Sequence, residues 1–366
     1  MANNDAAFIA IQAGQPTVLV GGSGEGKTAM AEQLCKDKLG LEPVTIIPSQ
    51  HMPEDIGGLP HINKDNGSVT MVHMDRLLKL KQPGHALIIA ELTTASQAMR
   101  PTLLSLLNEG RIGDLKIHPS NLRMACMNPD RLAPNGTPLE PTLCNRLYHH
   151  QWKVPFDSWL EGMENGGDFR LPHDLPIVGD YEAYVPLWCR RVAYLLRRQP
   201  ALRYCTVDQI DGEVSAFPAL RMWHGLARCL AAAQSVQADG TVYSELACGM
   251  VGPDGGHQLM ASIKKRELYD ADELIEGTSV IDYDKCKVDQ LVYIPCGVLE
   301  ALIENHDDER IERSINLLFE MCEHGLTDCV APVMSDINKR FPESFSDDYK
   351  VKYGQHMQTL MAGGVA

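Results

Sequence analysis

Gly21-Gly22-Ser23-Gly24-Glu25-Gly26-Lys27-Thr28 repeats the spacing G-x-x-x-x-G-K-[ST] without a mismatch. The β-prone run Thr17-Val18-Leu19-Val20 precedes it, and a helix-like stretch from Ala29 to Leu39, ended by Gly40, follows. A strand, a glycine-rich turn and a helix in that order leave the chain little local choice. The glycines let consecutive backbone N–H groups point inward, and the helix start adds a positive dipole. Such a cradle takes a polyphosphate. Lys27 has the reach for β- and γ-phosphates, and the Thr28 hydroxyl can ligate Mg²⁺. A plain glycine turn is the alternative, and the flanking strand and helix argue against it.

At 366 residues the chain has room for roughly two or three folding units. Its 44% hydrophobic and 22% charged content is that of a soluble globular chain with a real core. A formal net charge of −15 disfavours sequence-independent nucleic-acid binding, which needs cations for phosphates. The eleven cysteines are scattered, odd in number and free of any C-x-x-C, so neither a zinc site nor a disulfide frame is indicated. Reduced cysteines inside apolar runs act as small hydrophobes, and a reducing cytosol fits them. The polar start, Met1 to Asp5, carries no signal-peptide pattern. No apolar run approaches the roughly 20 residues of a spanning helix.

The first 155 residues alternate β-like runs with helical patterns. The runs Thr17–Val20, Val44–Ile47, Ala86–Ala90, Leu122–Met127 and Leu147–Trp152 are mostly continuous in apolar residues. Such runs predict a parallel sheet with helices on both faces. A helix is predicted from Gln97 to Glu109. One hairpin is predicted around Asn66-Gly67, and a second through Gly110 to Ile117. Residues 156–180, rich in Gly, Pro and acid, read as a linker. The pattern is helical afterwards, over Tyr181–Arg198, Pro218–Val236, Tyr243–Lys265, Gly297–Asn305 and Asp307–His324.

Four residues beyond the loop suit nucleotide chemistry. Glu91 ends the hydrophobic strand Ala86–Ala90, where a carboxylate could polarise an attacking water. A solvated strand end is its bland reading. Asn128 ends the run Arg123 to Met127, and its amide offers both a donor and an acceptor to that water. An Asn-Pro turn accounts for it equally. Arg146 opens the fifth strand, and its planar, always-charged guanidinium suits charge on a γ-phosphate. A surface salt bridge is the alternative. Arg221 stands at a helix start, where a cation is not favoured and an anionic partner is invited.

In this order the residues resemble the AAA+ ATPases, and among them the MoxR-like group. Gly21 to Thr28 looks like Walker A and Ala86–Glu91 like Walker B. Leu103 to Arg111 is similar to the family's helix and hairpin before sensor 1. Asn128 matches sensor 1, Arg146 the arginine finger, and Phe217-Pro218-x-x-Arg221-x-Trp223 the lid's sensor 2 segment. The resemblance implies an α/β fold: a P-loop three-layer parallel sheet, the AAA+ core, followed by an α-helical lid and a helical C-terminal extension. The implied domains are 1–155 for the nucleotide-binding core, 156–180 for a linker, 181–266 for the lid and 267–366 for the extension. It implies ATP and Mg²⁺ as cofactors. Gly21, Gly22, Ser23, Gly24, Glu25, Gly26, Lys27, Thr28 and Ala29 would hold the nucleotide, with Thr28 on the metal and Glu91, Asn128, Arg146 and Arg221 as the catalytic set. It further implies a six-membered ring, Arg146 acting on the neighbour's nucleotide, and chaperone-like remodelling with partners carrying von Willebrand A domains. The likeness is weakest from Asp270 onward.

One departure matters. The family's Walker B ends in Asp-Glu, and this chain has Ala90-Glu91. The missing aspartate normally helps hold the Mg²⁺ hydration shell, so binding is expected to persist and hydrolysis to slow. Two functions therefore compete: an ATP-driven remodeller, and a nucleotide-gated scaffold with slow or no hydrolysis. A P-loop kinase or GTPase lacks support, because no Asn-Lys-x-Asp guanine reader occurs. A DNA-directed motor would need the clusters Arg190-Arg191, Arg197-Arg198 and Lys264-Lys265-Arg266, which read better as solvated helix faces. Neighbouring His149 and His150 point to opposite faces of a strand and are read as structural.

Overall fold

The computed structural model describes residues 4–129, 139, 144–154, 156–171, 175–205, 216–266, 269–286, 291, 293–344, 349, 351 and 354. The side chains of Lys264-Lys265-Arg266 lie outside this description. The chain divides into two compact units, Met1–Met260 and Ala261–Ala366.

In the first unit five strands form one sheet: β1 (Thr17–Val20), β2 (Glu42–Ile46), β5 (His85–Ile89), β8 (Leu122–Met127) and β9 (Tyr148–Gln151). Their spatial order is β2-β5-β8-β1-β9, and every neighbouring pair is parallel. β1 and β5 are buried almost throughout, which is why they read as unbroken apolar runs. Alternation sorts their side chains. Val18, Val20, Val44, Ile46, Leu87, Ile89, Ala125 and Met127 join one core beneath the sheet. Thr45, Ile88, Met124 and Cys126 therefore face the other way.

The two predicted hairpins stand as β3 (Leu59–Ile62) with β4 (Val69–Val72), and β6 (Arg111–Ile112) with β7 (Leu115–Lys116). Asn66 and Gly67 do turn the first of them. Gly67 has φ +68°, and the Asn66 Oδ1 accepts from the Ser68 backbone N–H at 3.0 Å. The helix predicted from Gln97 is shorter and mixed. It runs α-helical over Arg100–Leu104 and widens to a π-helix over Ser105–Glu109. Pro101, which cannot donate in a helix interior, sits in its first turn where no donor is required.

Around the sheet lie α1 (Asp5–Gln12), α2 (Lys27–Gln33, continued as a π-helix over Leu34–Lys38), α3 (Pro53–Gly57), α4 (Asp75–Lys79) and α5 (Arg100–Leu104). Helix α1 buries all of Ala6 to Ile11. The segment read as a linker opens with a helix, α6 (Phe156–Glu164). Its Gly162 lies where a Cβ would fall 2.5 Å from the Phe169 ring, so this stretch folds on itself through aromatic contacts. The helices α7 (Val185–Arg198), α8 (Leu220–Ser235) and α9 (Gly240–Arg266) follow. Helix α9 is broken at Gly252, φ +79°, ahead of Pro253. Gly252-Pro253-Asp254-Gly255-Gly256 marks that break in the sequence, and a single helical reading of Tyr243–Lys265 passes over it. On α7, Arg191 lies 4.6 Å from the Trp188 ring centroid and Arg198 5.8 Å from that of Tyr194. Both cations thus rest on aromatics of their own helix.

The second unit holds α10 (Ala271–Glu276), α11 (Ile294–Glu304), α12 (Asp308–Glu323) and α13 (Thr327–Arg340). Ile311, Ile315, Leu318 and Cys322 share one face of α12 and enter a core with Leu274, Val298 and Val330. Asp270 and Asp307 cap α10 and α12 through backbone N–H groups.

His150 is buried with its partners in place. Its Nε2 lies 3.0 Å from Asn4 Oδ1, and its Nδ1 3.2 Å from the Tyr148 hydroxyl. His149 Nε2 meets the Cys144 carbonyl at 2.9 Å. Both are structural, as their opposite directions imply. Burial drives the His150 pKa down to about 4, helped by Lys153. The unfolded chain takes up that proton near 6.5, so stability should fall as pH drops from about 6.5 to 4, by about 3 kcal/mol at most. Urea unfolding at pH 7.0 and 4.5 should show a smaller pH difference for His150→Gln than for the native chain. A methyl at Gly249 would sit 2.4 Å from Tyr148 Cε2 and 2.5 Å from the His149 carbonyl oxygen. Gly249→Ala should therefore cost about 1–3 kcal/mol, seen as a lower urea midpoint.

Candidate functional site

The loop between β1 and α2 is held from three sides. Its Gly21 N–H donates to the Met127 carbonyl at 3.2 Å, tying it to the end of β8. Glu25 folds back so that its Oε2 accepts from the Gly22 N–H at 2.8 Å. The Trp152 indole donates to the Glu25 carbonyl at 3.0 Å. Gly21 has to be glycine, because a Cβ there would fall 2.6 Å from the Glu25 carboxylate and 3.1 Å from the Trp152 carbonyl.

Lys27 is buried, and its ammonium donates to Gly21 O at 2.9 Å, Gly22 O at 2.6 Å and Asn128 Oδ1 at 3.3 Å. Burial pulls its pKa below the usual lysine value, against the opposing influence of Cys126 and Glu25. The partners are neutral oxygens that leave the cation without a matching charge at the loop mouth. A polyphosphate would supply it. The loop residues therefore fit a triphosphate, and the Thr28 hydroxyl fits a divalent metal. The carboxylate expected beside that metal on β5 is absent, since Ala90 stands there.

Glu91 follows at once, in the left-handed region at φ 54° and ψ 47°. A non-glycine residue there stores about 1–2 kcal/mol of strain. The Thr94 N–H and hydroxyl each donate to the Glu91 carbonyl at 2.8 Å and stabilise the turn. The Glu91 carboxylate is exposed and makes no hydrogen bond or ion pair among the described residues. Lys27 and Asn128 are thus brought together, while Glu91 stands at the next strand end.

Glu109 is held below the usual carboxylate range first by a 2.8 Å bond from Arg111, with smaller contributions from the fields of Arg146 and Arg221. None of these arginines bonds to Lys27 or Asn128 among the described residues.

A cavity of about 1020 Å³ opens beside the loop. Ser23, Gly24, Glu25, Gly26, Ala29 and Met30 form one wall. Phe8, Trp152, Phe156, Trp159 and Phe169 form much of the other. Phe8 meets Trp152 edge-on at 6.3 Å, and Trp159 stacks between Phe156 at 5.9 Å and Phe169 at 6.2 Å. Apolar, aromatic walls adjoining a phosphate cradle suit a flat heterocycle.

Residues 16–132 match the family model described as an AAA domain of the dynein-related subfamily. This part of the chain is an AAA domain. The match spans β1, the loop, Glu91 and Asn128. No curated protein matches the chain in sequence. Among solved structures, one from Cytophaga hutchinsonii ATCC 33406 with a provisional ATPase designation is similar at 16% identity, with a TM-score of 0.43. The overlap covers 68% of this chain and 79% of that one, and is too loose to carry an argument. Among the described residues no helix is long and apolar enough to cross a membrane, and no group of three His, Cys, Asp or Glu side chains could hold a metal ion.

Sequence reading of the AAA domain missed the aromatic wall. Trp152 was visible only as the end of a strand, and the residues after it as a linker. The signal was there: Trp152, Phe156, Trp159 and Phe169 crowd into one short acidic, glycine-rich stretch. Also missed was Glu109, on which Arg111, Arg146 and Arg221 act. The strain at Glu91 is checked by Glu91→Asn, since asparagine tolerates the left-handed region. Its urea midpoint should rise by an amount equivalent to about 0.5–1 kcal/mol.

Proposed function

We propose that this chain binds ATP with Mg²⁺ at subunit interfaces of a ring, as a MoxR-like AAA+ ATPase, and uses it to remodel or assemble partner proteins. The observation that carries the reading is the Lys27 ammonium, poised at the loop mouth and joined to Asn128. Backbone N–H groups of the loop would receive the phosphates, Lys27 would turn from the glycine carbonyls to them, and the aromatic cavity would enclose the base. Bound Mg²⁺ supplies charge neutralisation at the β- and γ-phosphates. Thr28 would hold it, Glu91 would take a proton from the attacking water, and Asn128 would orient that water. Arg146, at the finger position, would act on the phosphate of a neighbouring subunit, and Arg221 would serve from the lid's sensor 2 position. Six copies, a von Willebrand A domain partner and a cytoplasmic site follow from the family likeness, and the eleven free thiols suit a reducing compartment.

A second reading is favoured by Ala90 and by the unanchored Glu91: a nucleotide-gated scaffold in which ATP assembles the ring and hydrolysis is slow. Light scattering with and without ATP-Mg²⁺ tests the ring, which fails if particle size does not change. Lys27→Ala should weaken nucleotide binding about 10–100-fold, the cost of losing a charge-assisted hydrogen bond. Quenching of tryptophan emission, with Trp152 and Trp159 both lining the cavity, provides the signal. Turnover below about 1 per second, raised several-fold by Ala90→Asp, would support the scaffold. Ordinary turnover in the native chain excludes it, and turnover unaffected by Lys27→Ala excludes catalysis at this loop.

A further inference from the structure

The strand that should carry an aspartate carries Ala90, yet the space around Thr28 is not without an acid. Thr28 and Glu32 stand four residues apart on α2, and so on one helix face. The Glu32 Oε1 accepts from the Thr45 hydroxyl at 2.5 Å. Thr45 lies on β2 level with Ile88 of β5, on the side of the sheet away from the main core. Ala90, two residues beyond Ile88, points to the same side. One residue past the Ile89–Ala125 pair, Ala90 also comes level with Cys126.

Cys126 of β8 lies on that same side, and Lys27 and Glu32 both act on its buried thiol. A thiol is a poor ligand for a hard cation, which prefers oxygen. Glu32 forms no ion pair with a lysine or arginine among the described residues, so its charge is not spent on a cation of the chain.

We propose that Glu32 takes over the charge of the missing aspartate and supplies the outer-shell carboxylate for a nucleotide-bound Mg²⁺. The inference rests on the nucleotide-binding reading above. Mg²⁺ keeps several of its waters, so an acid can act on it without direct contact. Thr45 lies two residues short of Ala90 and one strand over, about 8 Å in all. The glutamate side chain covers much of that gap by releasing the Thr45 hydroxyl, and a metal-bound water covers the rest. The small side chain at position 90 leaves the path open.

The alternative is that Glu32 merely pins α2 to β2. Glu32→Gln separates the two, because the amide oxygen can still accept from Thr45 while the charge is gone. The probe is a fluorescent ATP analogue, titrated first in EDTA and then against rising Mg²⁺. In Glu32→Gln, affinity in EDTA should be unchanged, and the Mg²⁺ midpoint should rise about tenfold, as loss of an outer-shell partner costs elsewhere. Ala90→Asp placed on Glu32→Gln should restore the midpoint, which a folding defect would not permit. A midpoint unmoved by Glu32→Gln overturns the role of Glu32 and leaves nucleotide binding standing. No binding of the analogue by the native chain in either condition overturns the functional reading, and this inference with it.

Discussion

The contact on which the site depends joins Lys27 to Asn128 and to the loop's own carbonyls. It exists only because β1 and β8 lie side by side and in register, Val20 opposite Met127. The loop leaves β1 at the level where Asn128 leaves β8. A slip of one residue would carry Asn128 about 3.3 Å along the strand and turn its side chain to the other face. The apolar pair Ala125 and Met127 prevents that slip, since both would leave the core with it while Val18 and Val20 stayed. Packing beneath the sheet thus sets polar geometry at its edge.

Around that contact the chain places opposite electrostatic problems in separate places. Lys27 is a buried cation whose hydrogen-bond partners are neutral oxygens, and Arg111 bonds an exposed acid, Glu109, that also feels Arg146 and Arg221. The first arrangement is unfinished without an anion. Ala90 moves the balance near Thr28 in the same direction by removing one negative charge. Glu32 is the nearest acid on that helix face to return it.

Legibility differed by the kind of signal. The five parallel strands showed as continuous apolar runs because both their faces are covered, and periodicity then has little to add. The hairpin at Asn66-Gly67 showed because a left-handed turn needs a glycine at a fixed place. Helix α6 did not show. Its glycines and acids resemble a linker, and what makes it fold is Phe169 packing on Gly162, a contact no local pattern announces. The break at Gly252 was legible in Gly252-Pro253-Asp254, a turn signal that the reading of one continuous helix overrides.

Sequence alone determined the phosphate loop, its strand and its helix, because the chemistry of a tight anion cradle requires particular residue types at short, fixed spacings. It also determined the absence of the β5 aspartate, which is a matter of identity at one position. Tertiary structure alone decided which distant groups meet: Asn128 with Lys27, Trp152 with Glu25, and Glu32 with Thr45. Those meetings depend on strand register and helix packing over many tens of residues. Spacing along the chain carries no information about them until the core has formed.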